Sequence, residues 1–117
     1  MELYNYKAKI IKVVDGDTVD AIIDAGFTLR FTERLRLLGI NAPEMRSPDP
    51  AIRVKAKEAK VFLEGLILNK DVFIHTEKDD AFGRYLAQIY LDGDDLNNLI
   101  IDDVNKLMII NGHAVKF

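Results

Sequence analysis

The chain has 117 residues, with 49% hydrophobic and 30% charged positions, so residues 1–117 read as one soluble domain with a single core. It has no cysteine, which excludes disulfides and thiolate metal sites, and no apolar run long enough to span a bilayer. A formal charge of −3 and a pI near 5.3 argue against strong nonspecific binding to nucleic acid.

That charge is uneven. Between Met45 and Lys60, Arg46, Arg53, Lys55, Lys57 and Lys60 face only Asp49 and Glu58, whereas Asp92 to Asp103 holds aspartates and no cation. The basic stretch is read equally well as a face for a polyanion and as a solvated helix surface. The start, Met1-Glu2-Leu3-Tyr4, has neither the basic nor the apolar part of a signal peptide. A cytoplasmic location is therefore expected of the sequence as it stands, with secretion of a longer precursor left open.

In chain order, Tyr4, Tyr6, Ala8 and Ile10 alternate with Asn5, Lys7 and Lys9, predicting a half-buried first strand. Asp15-Gly16-Asp17-Thr18 is a tight acidic turn, after which Val19, Ala21 and Ile23 continue the period of two. Gly26 punctuates before an expected strand over Phe27–Phe31, and Arg34–Ile40 is expected as the next. Gly39 breaks that run, and Pro43 holds Ala42 extended and ends it before Glu44. The period then becomes helical: Ile52, Ala56, Ala59, Phe62, Leu63, Leu66 and Ile67 share a face. Asp49 is the candidate N-cap, Pro50 fits the first turn, and Asn69 suits the stop. Strands are expected over Asp71–Thr76 and Tyr85–Leu91, joined by a loop with Asp79, Asp80 and Gly83. Asp92-Gly93 suggests a turn. Asp102 or Asp103 would cap a short helix from Val104 to about Asn111, which Gly112 ends. Periodicity alone gives an α+β chain rich in short strands.

Three stretches carry chemistry: Asp15-Gly16-Asp17-Thr18, Arg36-Leu37-Leu38-Gly39-Ile40-Asn41-Ala42-Pro43-Glu44, and Gly83-Arg84-Tyr85-Leu86-Ala87. In this order, and with the Asn-x-x-Leu…Gly-x-Ala pattern from Asn105 to Ala114, they resemble the staphylococcal-nuclease-like (thermonuclease) family over nearly the whole chain. The resemblance implies an OB-fold, a five-stranded Greek-key barrel with a central helix and a short C-terminal helix, mainly β within the α+β class. It also implies a calcium-dependent nuclease that hydrolyses DNA, with RNA a second candidate substrate, and leaves 3′-phosphate ends. A monomer is expected, with no membrane partner.

Phosphodiester hydrolysis requires neutralised phosphate charge, an oriented water and fixed donors for the transition state. An arginine fork binds phosphate oxygens bidentately and stays charged. By resemblance, Arg36 and Arg84 take that task and Glu44 is the catalytic glutamate, as base or as positioner of the water. Asp17 matches the family's calcium-binding carboxylate; Asn41 and Ala42 complete the expected ligands, the latter through its carbonyl. Taken singly, each residue has an ordinary reading: a surface strand arginine, an acid capping a turn, a hairpin aspartate.

The chain departs from the family's best-known pattern at Asn41, where an acid is replaced by an uncharged amide, so weakened calcium binding is expected. Ala81-Phe82 replaces a Lys-Tyr pair, which removes a phosphate contact, although Phe82 could stack on a base. The sequence ends at Phe117, ahead of the family's aromatic segment and last helix, and weaker substrate binding is expected. His75 and His113 have no partners at ligand spacing and are read as structural. A noncatalytic OB module binding nucleic acid or a protein is the rival reading; retention of Asp17, Arg36, Glu44 and Arg84 together weighs against it.

Overall fold

A computed structural model describes residues 5–79, 84–91 and 103–117. Strands β1 (Asn5–Asp15), β2 (Thr18–Asp24), β3 (Arg30–Leu37), β5 (Asp71–Asp79) and β6 (Arg84–Leu91) close a barrel in the order β1-β2-β3-β6-β5. All neighbours are antiparallel except β3 and β6, which run parallel with Leu35, Arg36 and Leu37 opposite Tyr85, Leu86 and Ala87. The expected OB architecture is therefore present. A short ladder of β4 (Ile40–Asn41) with β7 (Val115–Lys116) lies outside the barrel, alongside helices α1 (Pro50–Ile67) and α2 (Val104–Ile110).

Alternation builds the core. Ala8, Ile10, Val13, Val19, Ala21, Leu35, Leu37, Val72, Ile74, Ala87 and Ile89 point inward and are buried. Register shifts in the β1–β2 ladder lie at Ile10/Lys12 and Val13/Asp15, and the first leaves Ile11 unpaired and bends the strand. Just before the bend Ile10 bonds both ways with the chain leaving α1: its N–H donates to Lys70 O and its carbonyl accepts from Asn69 N–H. Helix α1 covers one end of the barrel with Ala56, Ala59, Leu63 and Ile67, all fully buried. Each of the two large side chains contributes roughly 1.5–3 kcal/mol by leaving water.

The helix signals act as anticipated. Asp49 accepts the Ala51 N–H, Pro50 occupies the first turn, and Asn69 takes a positive φ of 61° just past the end. Asp103 rather than Asp102 caps α2, accepting from Lys106 N–H and from the Gln88 amide. Gly112 follows at φ 76°.

The segment after Gly26 corrects the sequence reading. Phe27 and Thr28 are not strand; they form a hairpin turn at φ 52° and 64°, closed by Leu29 N–H on Gly26 O. Their β propensity yields to a two-residue connection, whose twist demands left-handed residues. The next strand consequently starts at Arg30 and runs unbroken through Arg34, ending at Leu37 rather than Ile40. Strand β1 also extends beyond Ile10 as far as Asp15, and β5 beyond Thr76 to Asp79. Tyr4, Asp80, Ala81, Phe82, Gly83, the Asp92-Gly93 turn and Asp102 lie outside the described residues.

Candidate active site

The acidic turn between β1 and β2 sits on a close contact. A Cβ on Gly16 would stand 2.8 Å from the Cβ atoms of both Ala42 and Ala59, so only glycine lets the turn touch the β4 segment and α1 together. Within the turn, Asp17 N–H donates to Asp15 Oδ1 at 3.0 Å, and Thr18 Oγ1 donates to Asp17 Oδ1 at 3.1 Å. Burial, together with the neighbouring Asp17 carboxyl, raises the Asp15 pKa to about 6.

Asp17 is buried, and its other oxygen, Oδ2, reaches across to Ala42, accepting that backbone N–H at 2.9 Å. The same oxygen lies 3.4 Å from Arg36 Nη1, and both side chains are largely sheltered. Arg36 donates further, from Nη1 to Ile40 O at 3.3 Å and from Nη2 to Asn41 Oδ1 at 3.2 Å. One guanidinium therefore gathers the oxygens of Asp17 and Asn41. A guanidinium has five N–H donors, so these bonds do not exhaust it. Pairing of Ile40 with Lys116 and of Asn41 with Val115 holds this segment in place from the far end of the chain.

Glu44 is exposed, three positions beyond Asn41, and its carbonyl accepts from Ser47 N–H at 3.3 Å. Among the described residues its carboxylate makes no hydrogen bond or ion pair with Asp17, Asn41 or Arg36. The loop bearing it is fastened to α1, because Arg53 Nη1 donates to Ser47 O at 2.8 Å and to Pro48 O at 3.2 Å. In the sequence, Arg53 was one cation of a basic stretch; in the fold it grips two carbonyls. Arg84 opens β6 opposite Asp79, two residues before Leu86, the residue paired with Arg36. Its backbone thus lies on the strand next to Arg36, close to the same rung.

Two contributions escaped sequence reasoning. Asn105 is buried in α2 and binds three backbone groups: its Nδ2 donates to Leu38 O at 2.7 Å and Ala87 O at 3.1 Å, and its Oδ1 accepts from Ile89 N–H at 3.2 Å. It ties the turn after β3 to β6 and so joins the strands of both arginines. Its place in the Asn-x-x-Leu pattern was the only signal. Arg34, outward on β3 like Arg36, pairs instead with Asp20 at 2.8 Å, which holds that carboxyl below its usual range. Of the histidines, His75 Nδ1 bonds Asn5 Oδ1 at 2.7 Å, and His113 packs on Phe62.

The sequence model of the staphylococcal nuclease homologue family matches residues 34–117, and the chain belongs to that family. It is 33% identical over 85 residues to a thermonuclease of Staphylococcus hyicus, covering 71% of this chain and 47% of that protein. An uncharacterized protein of Methanocaldococcus jannaschii is 32% identical over 130 residues, covering 94% of this chain and 58% of its own length. A probable staphylococcal-like nuclease of Oryza sativa subsp. japonica is 39% identical over 84 residues, covering 72% of this chain and 19% of its own length. The chain thus spans about half the length of the first two and a fifth of the third. Among the described residues, no helix is long and apolar enough to cross a membrane.

Proposed function

We propose that this domain hydrolyses phosphodiester bonds of single-stranded or denatured DNA, with RNA as a second substrate, through Arg36, Arg84 and Glu44. The observation that carries the reading is the Arg36 guanidinium, held at the end of β3 between Asp17 and Asn41 in a chain of a nuclease family. A fork held this way keeps its charge and its orientation before substrate arrives, which is what transition-state stabilisation requires. In this reading Arg36 and Arg84 bind the non-bridging oxygens of the scissile phosphate. Glu44, exposed on a loop anchored by Arg53, accepts a proton from the attacking water or orients it. Cleavage of the 5′ P–O bond would leave 3′-phosphate ends.

Calcium is part of the proposal. Asp17, the Asn41 amide oxygen and the Ala42 carbonyl would hold it, and a bound calcium would supply positive charge next to the phosphate. All three donors are oxygen, which suits a hard cation. The set is poor in charge: among the described residues, no three of His, Asp and Glu gather where they could hold a metal. Asn41 accordingly makes the binding weak.

The test is hydrolysis of denatured DNA by pure protein in millimolar calcium, with and without chelator, and with end-group analysis. Chelator-sensitive cleavage leaving 3′-phosphates is expected. Intact DNA at all calcium concentrations would reduce the domain to a binding module.

A further inference from the structure

The outer face of the β1–β2–β3 sheet bears a feature the candidate site does not use. Register arranges its outward residues in rungs. Asp15, Thr18 and Arg36 form the rung at the site; then come Lys12, Asp20 and Arg34; then Lys9, Ile22 and Thr32; and last Lys7, Asp24 and Arg30. Cations outnumber carboxylates along this ladder, although the whole chain is formally −3. Its three carboxylates are already engaged, Asp15 by the Asp17 N–H at 3.0 Å, Asp20 by Arg34 and Asp24 by the Gly26 N–H at 2.9 Å. Among the described residues, Lys7, Lys9 and Arg30 make no ion pair.

These three cations line a recess of about 420 Å³ whose apolar wall includes Ile22 and Phe73, with Asp24 and Asp71 also in its wall. Phe73 is 37% exposed, and Lys7 Nζ lies 5.7 Å from its ring centre. An aromatic face beside several cations is the pairing that takes a base and its phosphates together. The recess spans β1, β2 and β5 and meets β3 at Arg30, on the same strand as Arg36.

We infer that this recess is a second nucleotide subsite, reached by an extended single strand that leaves the Arg36 site and follows β3. The inference rests on the nuclease reading for the position of the first phosphate. From Arg36 to Arg30 is six residues of strand, roughly 20 Å at about 3.3 Å each. A single strand drawn out to roughly 7 Å per nucleotide, twice the duplex rise, covers that span in about three steps. Lys7, Lys9 and Arg30 then meet phosphates, and Phe73 with Ile22 receives a base. Only an unpaired base exposes its face for such stacking, so the partner is single-stranded.

The experiment measures binding of labelled oligonucleotides by fluorescence anisotropy across a salt series, using a trinucleotide and a strand of about twelve nucleotides. The parent should bind the longer strand at least about tenfold more tightly. In the variant Lys7→Gln/Lys9→Gln/Arg30→Gln that gain should vanish, and the log–log salt slope should fall by about 2, at about 0.7 for each phosphate no longer neutralised. Trinucleotide affinity should not change, and the melting curve should confirm the fold. Phe73→Ala should weaken the longer strand while leaving the salt slope as it was. Unchanged affinity and slope in the triple variant would overturn the subsite, as would parent protein that binds anionic vesicles but no oligonucleotide. Length-dependent binding that disappears in the triple variant, without cleavage by the parent, would uphold the subsite and remove only the catalytic reading.

Discussion

Asp17 accepts the backbone N–H of Ala42 at 2.9 Å, across 25 positions of sequence, in a contact buried from solvent. That bond joins the β1–β2 turn to the segment that follows β3, and the Arg36 guanidinium lies beside the same oxygen. The turn and the arginine are thus positioned by one carboxylate, and the consequences can be measured.

The first concerns Gly16. Alanine there would put a methyl group 2.8 Å from two other Cβ atoms, and neither can swing aside. Overpacking of this kind costs about 1–3 kcal/mol. Gly16→Ala should therefore lower the urea midpoint and, by pushing the turn off Ala42, lower any nuclease rate further than stability alone explains. A midpoint equal to the parent's would show that the turn yields freely.

The second is a pH effect. Asp15 is raised from its ordinary 3.8 to about 6 in the folded chain, so the native state holds more protons than the unfolded state between those values. Stability from this group is present below pH 4 and is lost as pH rises towards 6, the reverse of a salt-bridged aspartate. Asp15→Asn keeps an acceptor for the Asp17 N–H and removes the titration. Its melting temperature relative to the parent should rise between pH 4 and pH 7; a constant difference would contradict the shift.

Asn105 supplies the third. Replacing it by leucine leaves the Leu38 carbonyl and the Ile89 N–H without their Asn105 partner in a buried setting, while the Ala87 carbonyl keeps the Leu38 N–H. Unmade buried bonds cost about 1–3 kcal/mol each, and the loss should be of that order or larger. Denaturant unfolding checks it, and a neutral result would mean that water replaces the side chain.

The fourth returns to Asn41, whose amide oxygen now takes a hydrogen bond from Arg36. Asn41→Asp should tighten calcium binding by about tenfold, or about 1.4 kcal/mol, since affinity follows the number of charged oxygens. Calcium should then raise the melting temperature more in the variant than in the parent. Equal affinities by calorimetric titration would remove Asn41 from the metal site.

Local signals were legible in the sequence; long-range ones only through family resemblance. Asp49-Pro50 and the spacing of Ala56, Ala59, Leu63 and Ile67 define α1 because capping and periodicity act within a few residues. Phe27 and Thr28 misled because strand propensity was read where loop length determines the backbone. No period places Asp17 against Ala42, or Arg53 on the Ser47 and Pro48 carbonyls, because those contacts exist only once the barrel has closed. The Asp-Gly-Asp turn could be seen; the need for its glycine, packed on Ala59, could not.

In the proposed reaction Arg36 stabilises the phosphoryl transition state. The most direct measurement compares single-turnover cleavage of a single-stranded oligonucleotide by the parent and by Arg36→Ala in saturating calcium, with melting curves for both. The rate should fall by about two powers of ten or more, as for any removed transition-state donor. A variant that is folded and cleaves at the parent's rate would place the chemistry elsewhere on the domain.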